Sequence, residues 1–387
     1  MRSLLRALCK LLKWGLIAVV LVELGSFAVI SVSNLLIYGE LREGSRVRYD
    51  PYALFLNLRG PRPTTPQPES PEYSVWCFGG STMRGQTADD SATIPSLLSR
   101  ELTRRNHSVA LHNWGEDSFN SLLETNYLQK LLIEHGDTTD LLLFYDGAND
   151  SIYFTQYRTP YGHHGYRRLS GLIESYRGSF FGIFKSFNAA VRASFTRELY
   201  DKLGQAVSPI DPDDPYLELF TALVEQRYDY LAHEASLRGD AFMVVWQPVL
   251  WAENAGAVDE NVRAMEADYL VNRRQLQTMN DNFRMVYEAL RSRLADKPYF
   301  VDMGDALTNR SEQAYQPDGV HLTDVGRQMI AAQLAPRIIE QKMRAEQRAA
   351  QIARALEKRQ AGKQASAGNR HKAARKTSAN PANEPAP

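Results

Sequence analysis

Three residues of this chain have the types and setting needed for nucleophilic acyl transfer: Ser81, Asp318 and His321. Ser81 closes the run Val75-Trp76-Cys77-Phe78-Gly79-Gly80-Ser81, in which strand-forming apolar residues stop at two glycines. The glycines allow a sharp turn and leave room for a substrate, so Ser81 is expected at the carboxyl end of a strand. In an open parallel sheet that edge binds ligands. A serine hydroxyl is a weak nucleophile until a base takes its proton, and the usual base is a histidine held by a carboxylate. Of the eight histidines, only His321 has such a setting, in Asp318-Gly319-Val320-His321 ahead of a predicted helix. That turn can return the Asp318 carboxylate to the ring and fix its tautomer. Each motif also has a plainer reading: a tight turn that contains serine, and a surface loop whose aspartate caps a helix.

Two other strand ends could serve the same site. Residues 141–145 are strongly apolar and run into Asp146-Gly147-Ala148-Asn149-Asp150, where the Asn149 amide could face a developing oxyanion. Leu111-His112-Asn113-Trp114-Gly115 ends a further short strand, and Gly115 could offer its N–H to the same oxygen. Taken singly, each is an ordinary strand-to-loop residue. His163 and His164, adjacent on a loop between glycines, do not make a metal site. The chemistry outlined needs neither a metal nor an organic cofactor.

In this order the four blocks resemble the SGNH (GDSL-type) hydrolases, a family named for a serine, a glycine, an asparagine and a histidine. The matching residues are Ser81 in Gly-Gly-Ser-Thr, Gly115, Asn149 in Gly-Ala-Asn-Asp, and His321 in Asp-Gly-Val-His; Asp318 stands at the family's acid position. The resemblance extends over residues 73–335. It implies a three-layer α/β sandwich with a five-stranded parallel sheet of flavodoxin-like order, and a serine-dependent carboxylic ester hydrolase. In that scheme Ser81 is the nucleophile, His321 the base and Asp318 the acid that orients it. The oxyanion hole is made by the N–H groups of Ser81 and Gly115 and by the Asn149 amide. One position departs: Gly80 stands where the family often has aspartate, which sets the chain apart from the family's secreted lipases. The order of the blocks argues against the Gly-x-Ser-x-Gly hydrolases, whose second glycine would fall at Met83.

Alternating strands and helices must position these residues. Strands are expected over 74–78, 109–113, 141–145, 241–246 and 299–302, with helices over 94–105 and 118–134. Such alternation implies a parallel sheet covered on both faces. Residues 151–239 form an excursion too long for an ordinary crossover. It is rich in aromatic residues: Tyr153, Phe154, Tyr157, Tyr161, Tyr166, Tyr176, Phe180, Phe181, Phe184 and Phe187. Two readings stand open, a lid whose tyrosines stack on sugar rings or acyl groups, and a satellite helical layer with its own small core.

The ends of the chain bear on its setting. Residues 1–13 carry Arg2, Arg6, Lys10 and Lys13 and no acid, and residues 14–38 are apolar apart from Glu23 and a few small polar residues. That length spans a bilayer, and the basic flank puts the amino terminus in the cytoplasm. The expectation is a single-pass anchor in a bacterial inner (cytoplasmic) membrane, with the domain on the periplasmic or extracellular side. The competing reading is a signal peptide cleaved near Ser26-Phe27-Ala28. Glu23 marks a helix partner, is protonated in the membrane, or is a tolerated polar group.

Residues 39–72 read as a connector. Five prolines between Pro61 and Pro71 make it stiff enough to hold the domain off the membrane, although Arg48-Tyr49-Asp50-Pro51-Tyr52 is aromatic enough to pack. The hydrolase domain then covers 73–340. Lys plus Arg equals Asp plus Glu at 45 each, so overall charge points to no polyanionic partner. Residues 341–387 nevertheless carry eleven Lys/Arg against three Asp/Glu, and read as a basic helix followed by disorder from Gly362. Outside the membrane, nucleic acid is not an expected partner; anionic lipid, an acidic polysaccharide or solvent alone would suit that tail. Cys9 and Cys77 would lie on opposite sides of the membrane and form no disulfide. The expected substrate is an acyl ester of an envelope glycan or lipid, such as an O-acetylated polysaccharide. O-acyl transfer to a sugar hydroxyl and a non-catalytic envelope scaffold are the alternatives.

Overall fold

The computed structural model describes residues 2–38, 47–136, 139–178, 182–192, 194–206, 208–271 and 277–377. Five short apolar segments form its centre: β3 (Tyr73–Gly79), β4 (Val109–Asn113), β5 (Leu141–Asp146), β6 (Ala241–Trp246) and β7 (Phe300–Asp302). All neighbouring pairs are parallel, in the order β4-β3-β5-β6-β7. This is the flavodoxin-like order, and each strand falls within a residue of its expected limits.

The strands are continuous apolar runs because both faces of the sheet are covered. Trp76, Phe78, Leu142, Phe144, Val244 and Trp246 share one core with α4 (Ser121–His135), α9 (Pro215–Arg238) and α11 (Gln277–Leu294). Val75, Cys77, Leu143 and Val245 alternate with them toward the opposite face and are equally buried. There α3 (Ile94–Arg104), with Leu98 and Leu102 fully buried, packs beside β4. Thr93 caps α3 by accepting from the Ser96 N–H, with Pro95 in the first turn. α4 starts three residues later than expected, because Ser118 takes a φ of +63° and Asn120 supplies the cap.

α1 (Arg2–Tyr38) contains a stretch, Arg6–Val32, long and apolar enough to cross a membrane. One of its faces is polar: Glu23, Ser26 and Ser31 recur at helical spacing with Phe27 and Ile30. That face meets α8 (Phe195–Ala206). Glu23 accepts hydrogen bonds from Phe195 N (2.7 Å), Thr196 N (3.1 Å) and Thr196 Oγ1 (2.7 Å), and Phe27 lies edge-on to Phe195 at 5.1 Å. Of the three readings of Glu23, the structure bears out a helix partner.

The stand-off spacer expected over 39–72 gives way, from Val47 on, to a strap packed on the domain; residues 39–46 lie outside the described residues. β1 (Val47–Asp50) and β2 (Leu54–Asn57) form an antiparallel hairpin whose Ala53 and Leu56 enter the main core. Lys130 pairs with Asp50. Arg62 donates to Gly85 O (2.6 Å), Thr87 O (2.7 Å) and Asp90 (2.9 Å). These polar anchors, unlike the prolines, cannot be read from composition.

The excursion folds into α5 (Ala148–Tyr157), α6 (Tyr166–Gly178), α7 (Gly182–Arg192), α8 and α9. Three of its tyrosines meet one another: Tyr153 stacks on Tyr157 at 6.0 Å, and Tyr157 lies 5.9 Å from Tyr166. Tyr157 and Tyr166 are half-buried, and Tyr161 and Tyr176 are left exposed. Phe180, Phe181 and the side chain of Phe184 lie outside the described residues. The last helix, α12, is Asp324–Thr377. Its part from Pro336 onward is a separate unit, with Lys342–Glu346 (2.6 Å) and Arg344–Glu340 (2.5 Å) pairs along its surface. Helix continues past Gly362, where composition predicts disorder, since Ala, Gln, Lys and Arg are strong helix formers.

Candidate active site

β3 ends at Gly79, where the chain must turn at once into α2 (Ser81–Arg84). The φ of Gly79 is +155°, and a Cβ there would fall 2.7 Å from Met83 Cβ and 3.0 Å from Tyr145 O. Ser81 is the first residue of α2, so its N–H has no partner within the helix. Its Oγ lies 2.7 Å from His321 Nε2.

The loop carrying His321 is closed by two backbone bonds, Gln316 N to His321 O (2.8 Å) and Gly319 N to Gln316 O (2.9 Å). Asp318 Oδ1 accepts the N–H groups of Val320 and His321, both at 2.9 Å, which leaves Oδ2 2.5 Å from His321 Nδ1. Burial alone would raise the Asp318 carboxyl. The hydrogen bond and charge of His321, with the two N–H donors, more than offset this and hold it at about 2. Nδ1 therefore carries a proton toward a carboxylate, and the Nε2 lone pair faces Ser81. Gly319 takes a φ of +73°, and a Cβ on it would meet Trp251 Nε1 at 2.2 Å. Beneath the loop, the fully buried Arg310 pairs with Glu253 (2.9 Å) and Glu266 (2.6 Å), with its guanidinium 4.8 Å from the centre of the Tyr315 ring.

Asn149 is the second residue of α5, and its amide lies against the Gly80–Ser81 turn. Its Nδ2 donates to Phe119 O at 2.5 Å, which fixes the amide plane and leaves the other N–H beside the turn. A Cβ on Gly80 would fall 2.3 Å from Asn149 Nδ2 and 3.1 Å from Phe119 O. In this chain the bare Cα of Gly80 leaves the space that the Asn149 amide occupies. Gly115 plays a different part from the one expected. Its N–H donates to Asn113 Oδ1 (3.0 Å), and its carbonyl accepts from Arg84 Nη1 (3.2 Å). It lies against α2, where a Cβ would be 2.6 Å from Arg84 N. Of the three expected oxyanion donors, Ser81 and Asn149 are free to act, whereas the Gly115 N–H is engaged by a side chain two residues back, a turn preference of asparagine.

Several supporting residues escaped the sequence reading. Asp150 accepts from Ser121 N (3.1 Å) and Ser121 Oγ (2.6 Å), and Arg227 donates to the same hydroxyl (2.6 Å). This ties the start of α4, and hence Phe119 O, to the helix that carries Asn149. Asp146 accepts from Tyr228 OH at 2.6 Å. Burial and the neighbouring Asp150 raise Asp146 to about 7, and burial raises Glu124 and Asp150 as well. Asp146 and Asp150 flank Asn149 in sequence, which was a usable signal. Glu124 and Arg227 sit on distant helices and gave none.

No protein-family model matches the chain, and no curated protein matches it. Solved structures do match, several of them GDSL-family lipolytic proteins or acetyl xylan esterases. The chain is similar to an acetyl xylan esterase at 11% identity, over 68% of this chain and 99% of that one, with a TM-score of 0.39. It is similar to an acetylxylan esterase from Geobacillus stearothermophilus at 12% identity, over 68% and 94%, with a TM-score of 0.34. A lipase/acylhydrolase from Enterococcus faecalis matches at 13% identity, over 68% and 96%, with a TM-score of 0.36. What the site can do follows from its own side chains: a hydroxyl, an imidazole and a carboxylate in one hydrogen-bonded line.

Proposed function

We propose that this chain is a serine-dependent carboxylic ester hydrolase of the SGNH (GDSL) type, held to a membrane by α1 and acting on O-acyl, chiefly O-acetyl, groups of an envelope glycan. One observation carries the reading: Asp318 Oδ2 lies 2.5 Å from His321 Nδ1, and His321 Nε2 lies 2.7 Å from Ser81 Oγ, at the carboxyl edge of a parallel sheet. Ser81 Oγ attacks the ester carbonyl as its proton passes to His321 Nε2. The tetrahedral oxyanion is held by the Ser81 N–H and the Asn149 amide, where losing one donor costs about a hundred- to a thousandfold in rate. Collapse breaks the ester C–O bond, the departing alkoxide takes the proton from His321, and acyl-Ser81 remains. Water then attacks the acyl group while His321 accepts its proton; collapse breaks the bond between the acyl carbon and Ser81 Oγ, His321 returns the proton to that oxygen, and the carboxylic acid leaves.

The membrane-length helix and the aromatic excursion support an esterified glycan of the outer side over a free lipid. The test is a fluorophosphonate probe on the full chain in detergent, followed by acetate release from an O-acetylated polysaccharide. Labelling at Ser81 that disappears in Ser81→Ala supports the enzyme. A folded chain that does not label would leave the non-catalytic scaffold. Recovery of the acetyl group on a second sugar hydroxyl, with no free acetate, would identify an O-acyltransferase instead. For the topology, a reporter active only outside the cytoplasm and fused after Glu72 should work; an inactive reporter would place the domain on the other side.

A further inference from the structure

A cavity opens on the edge of the sheet that carries Ser81. After β6 the chain forms the loop 247–256 and α10 (Glu260–Val271), and α11 then runs back antiparallel to the strands to reach β7. The first turns of α11 therefore sit at the carboxyl edge. Between these elements lies a cavity of about 340 Å³, the size of a small-ligand site. Its lining includes Trp251 and Leu270 as apolar surface, with Arg263, Arg284 and Asn280 as polar groups.

Charge and hydrogen bonding show which groups are committed. Glu253 and Glu266 also line the cavity, but both are paired with the buried Arg310, and Glu253 accepts from Tyr315 OH as well. Arg263 and Arg284 are exposed, and among the described residues neither is paired with a carboxylate. Each donates only to a backbone carbonyl, Arg263 to Val258 O at 3.1 Å and Arg284 to Glu253 O at 3.4 Å. Among the described residues Asn280 Oδ1 has no hydrogen-bond partner, and it is closed to solvent. Asp281 is the one other acid of the lining, and it is exposed.

We infer that this cavity is a subsite for an acidic sugar unit, a uronate of the acylated glycan. The carboxylate meets the guanidinium groups of Arg263 and Arg284, which match its planar geometry. The apolar face of the sugar lies on the Trp251 indole. A neutral sugar would leave both guanidinium groups without an anion. The subsite bears on catalysis through one side chain, since Trp251 is the residue packed on Gly319 of the Asp318–His321 turn. The identity of the polymer rests on the proposed esterase function; the binding itself does not.

The experiment titrates glucuronate, with glucose as the neutral control, into the detergent-solubilised full chain carrying Ser81→Ala, read by saturation-transfer NMR. Glucuronate should bind saturably, with glucose weaker by about tenfold or more. Adding Arg263→Gln and Arg284→Gln should weaken glucuronate by a similar factor with little change in melting temperature, because both side chains are exposed. The single variants Arg263→Gln and Arg284→Gln should each weaken glucuronate more than glucose, and they take the place of the double one if it is unstable. Absence of saturable glucuronate binding, or undiminished binding to the arginine variant, would overturn the subsite. Equal affinity for glucose would overturn its acidic specificity. Failure of the esterase function would show separately, as loss of probe labelling at Ser81 in the otherwise unaltered chain.

Discussion

Replacing Asp318 by asparagine tests the geometry of the triad more sharply than removing the serine. Asp318 Oδ1 accepts two backbone N–H groups at 2.9 Å. In the variant the amide oxygen must keep that place, because an NH2 group there would face two donors. The amide nitrogen then points at His321 Nδ1, which the carboxylate contacts at 2.5 Å in the parent. An N–H donor in that place makes Nδ1 the acceptor and moves the ring proton to Nε2, so the ring can no longer take the proton of Ser81. Two magnitudes follow. The fall of the Asp318 carboxyl from 3.8 to about 2 corresponds to roughly 2 kcal/mol of preference for the charged form, or more than a tenfold effect on whatever depends on that charge. The wrong tautomer adds to this, and loss in such a case approaches about ten-thousandfold in kcat. The assay is hydrolysis of a small aryl acetate at neutral pH, beside thermal unfolding to show that the turn has survived. Asp318→Asn should be at least as damaged as Asp318→Ala, although it preserves the shape of the turn. A variant that folds normally and keeps more than about a tenth of the parental kcat would refute the tautomer argument.

Other expectations can be checked on the same material. Gly80 has a φ of −77°, so its backbone accepts alanine, but the new Cβ must displace the Asn149 amide that lies 2.3 Å away. Gly80→Ala should lower kcat by about ten- to a hundredfold with KM little changed, and full activity would show that Asn149 is not an oxyanion donor. Burial raises the carboxyl of Glu116 to about 8 despite Arg84, so its contribution to stability is present below about 4.5 and lost as pH rises through about 8. The melting temperature of the parent relative to Glu116→Gln should therefore fall over that interval, and parallel pH profiles would count against the assignment. Glu23→Leu removes an acceptor from three donors at the start of α8, a loss of about 1 kcal/mol by analogy with a helix cap. Trypsin should then cut more readily at Arg197 in the detergent-solubilised full chain, and an unchanged cleavage rate would mean that α8 is held by other contacts.

The sheet could be read from the sequence because each strand is an uninterrupted apolar run, the pattern that burial on both faces imposes. The triad could be read for a related reason: Ser81 and His321 each follow a local turn whose glycines and aspartate announce it. Contacts made between distant segments left no such mark. Arg62 holds the strap through carbonyls of residues that composition does not distinguish, and Arg227 reaches Ser121 from 106 positions away. The glycines show where the boundary falls. Gly80, Gly115 and Gly319 all stand out in the sequence as residues suited to a turn or to the approach of a substrate, yet in each the excluded Cβ meets a different part of the protein: the Asn149 amide, the Arg84 backbone and the Trp251 indole. Sequence shows that space is needed at those positions and is silent on what fills it. The neighbour determines the role, so Gly80 leaves space for the Asn149 amide proposed as an oxyanion donor, Gly115 packs its loop on α2, and Gly319 seats the Asp318–His321 turn on Trp251.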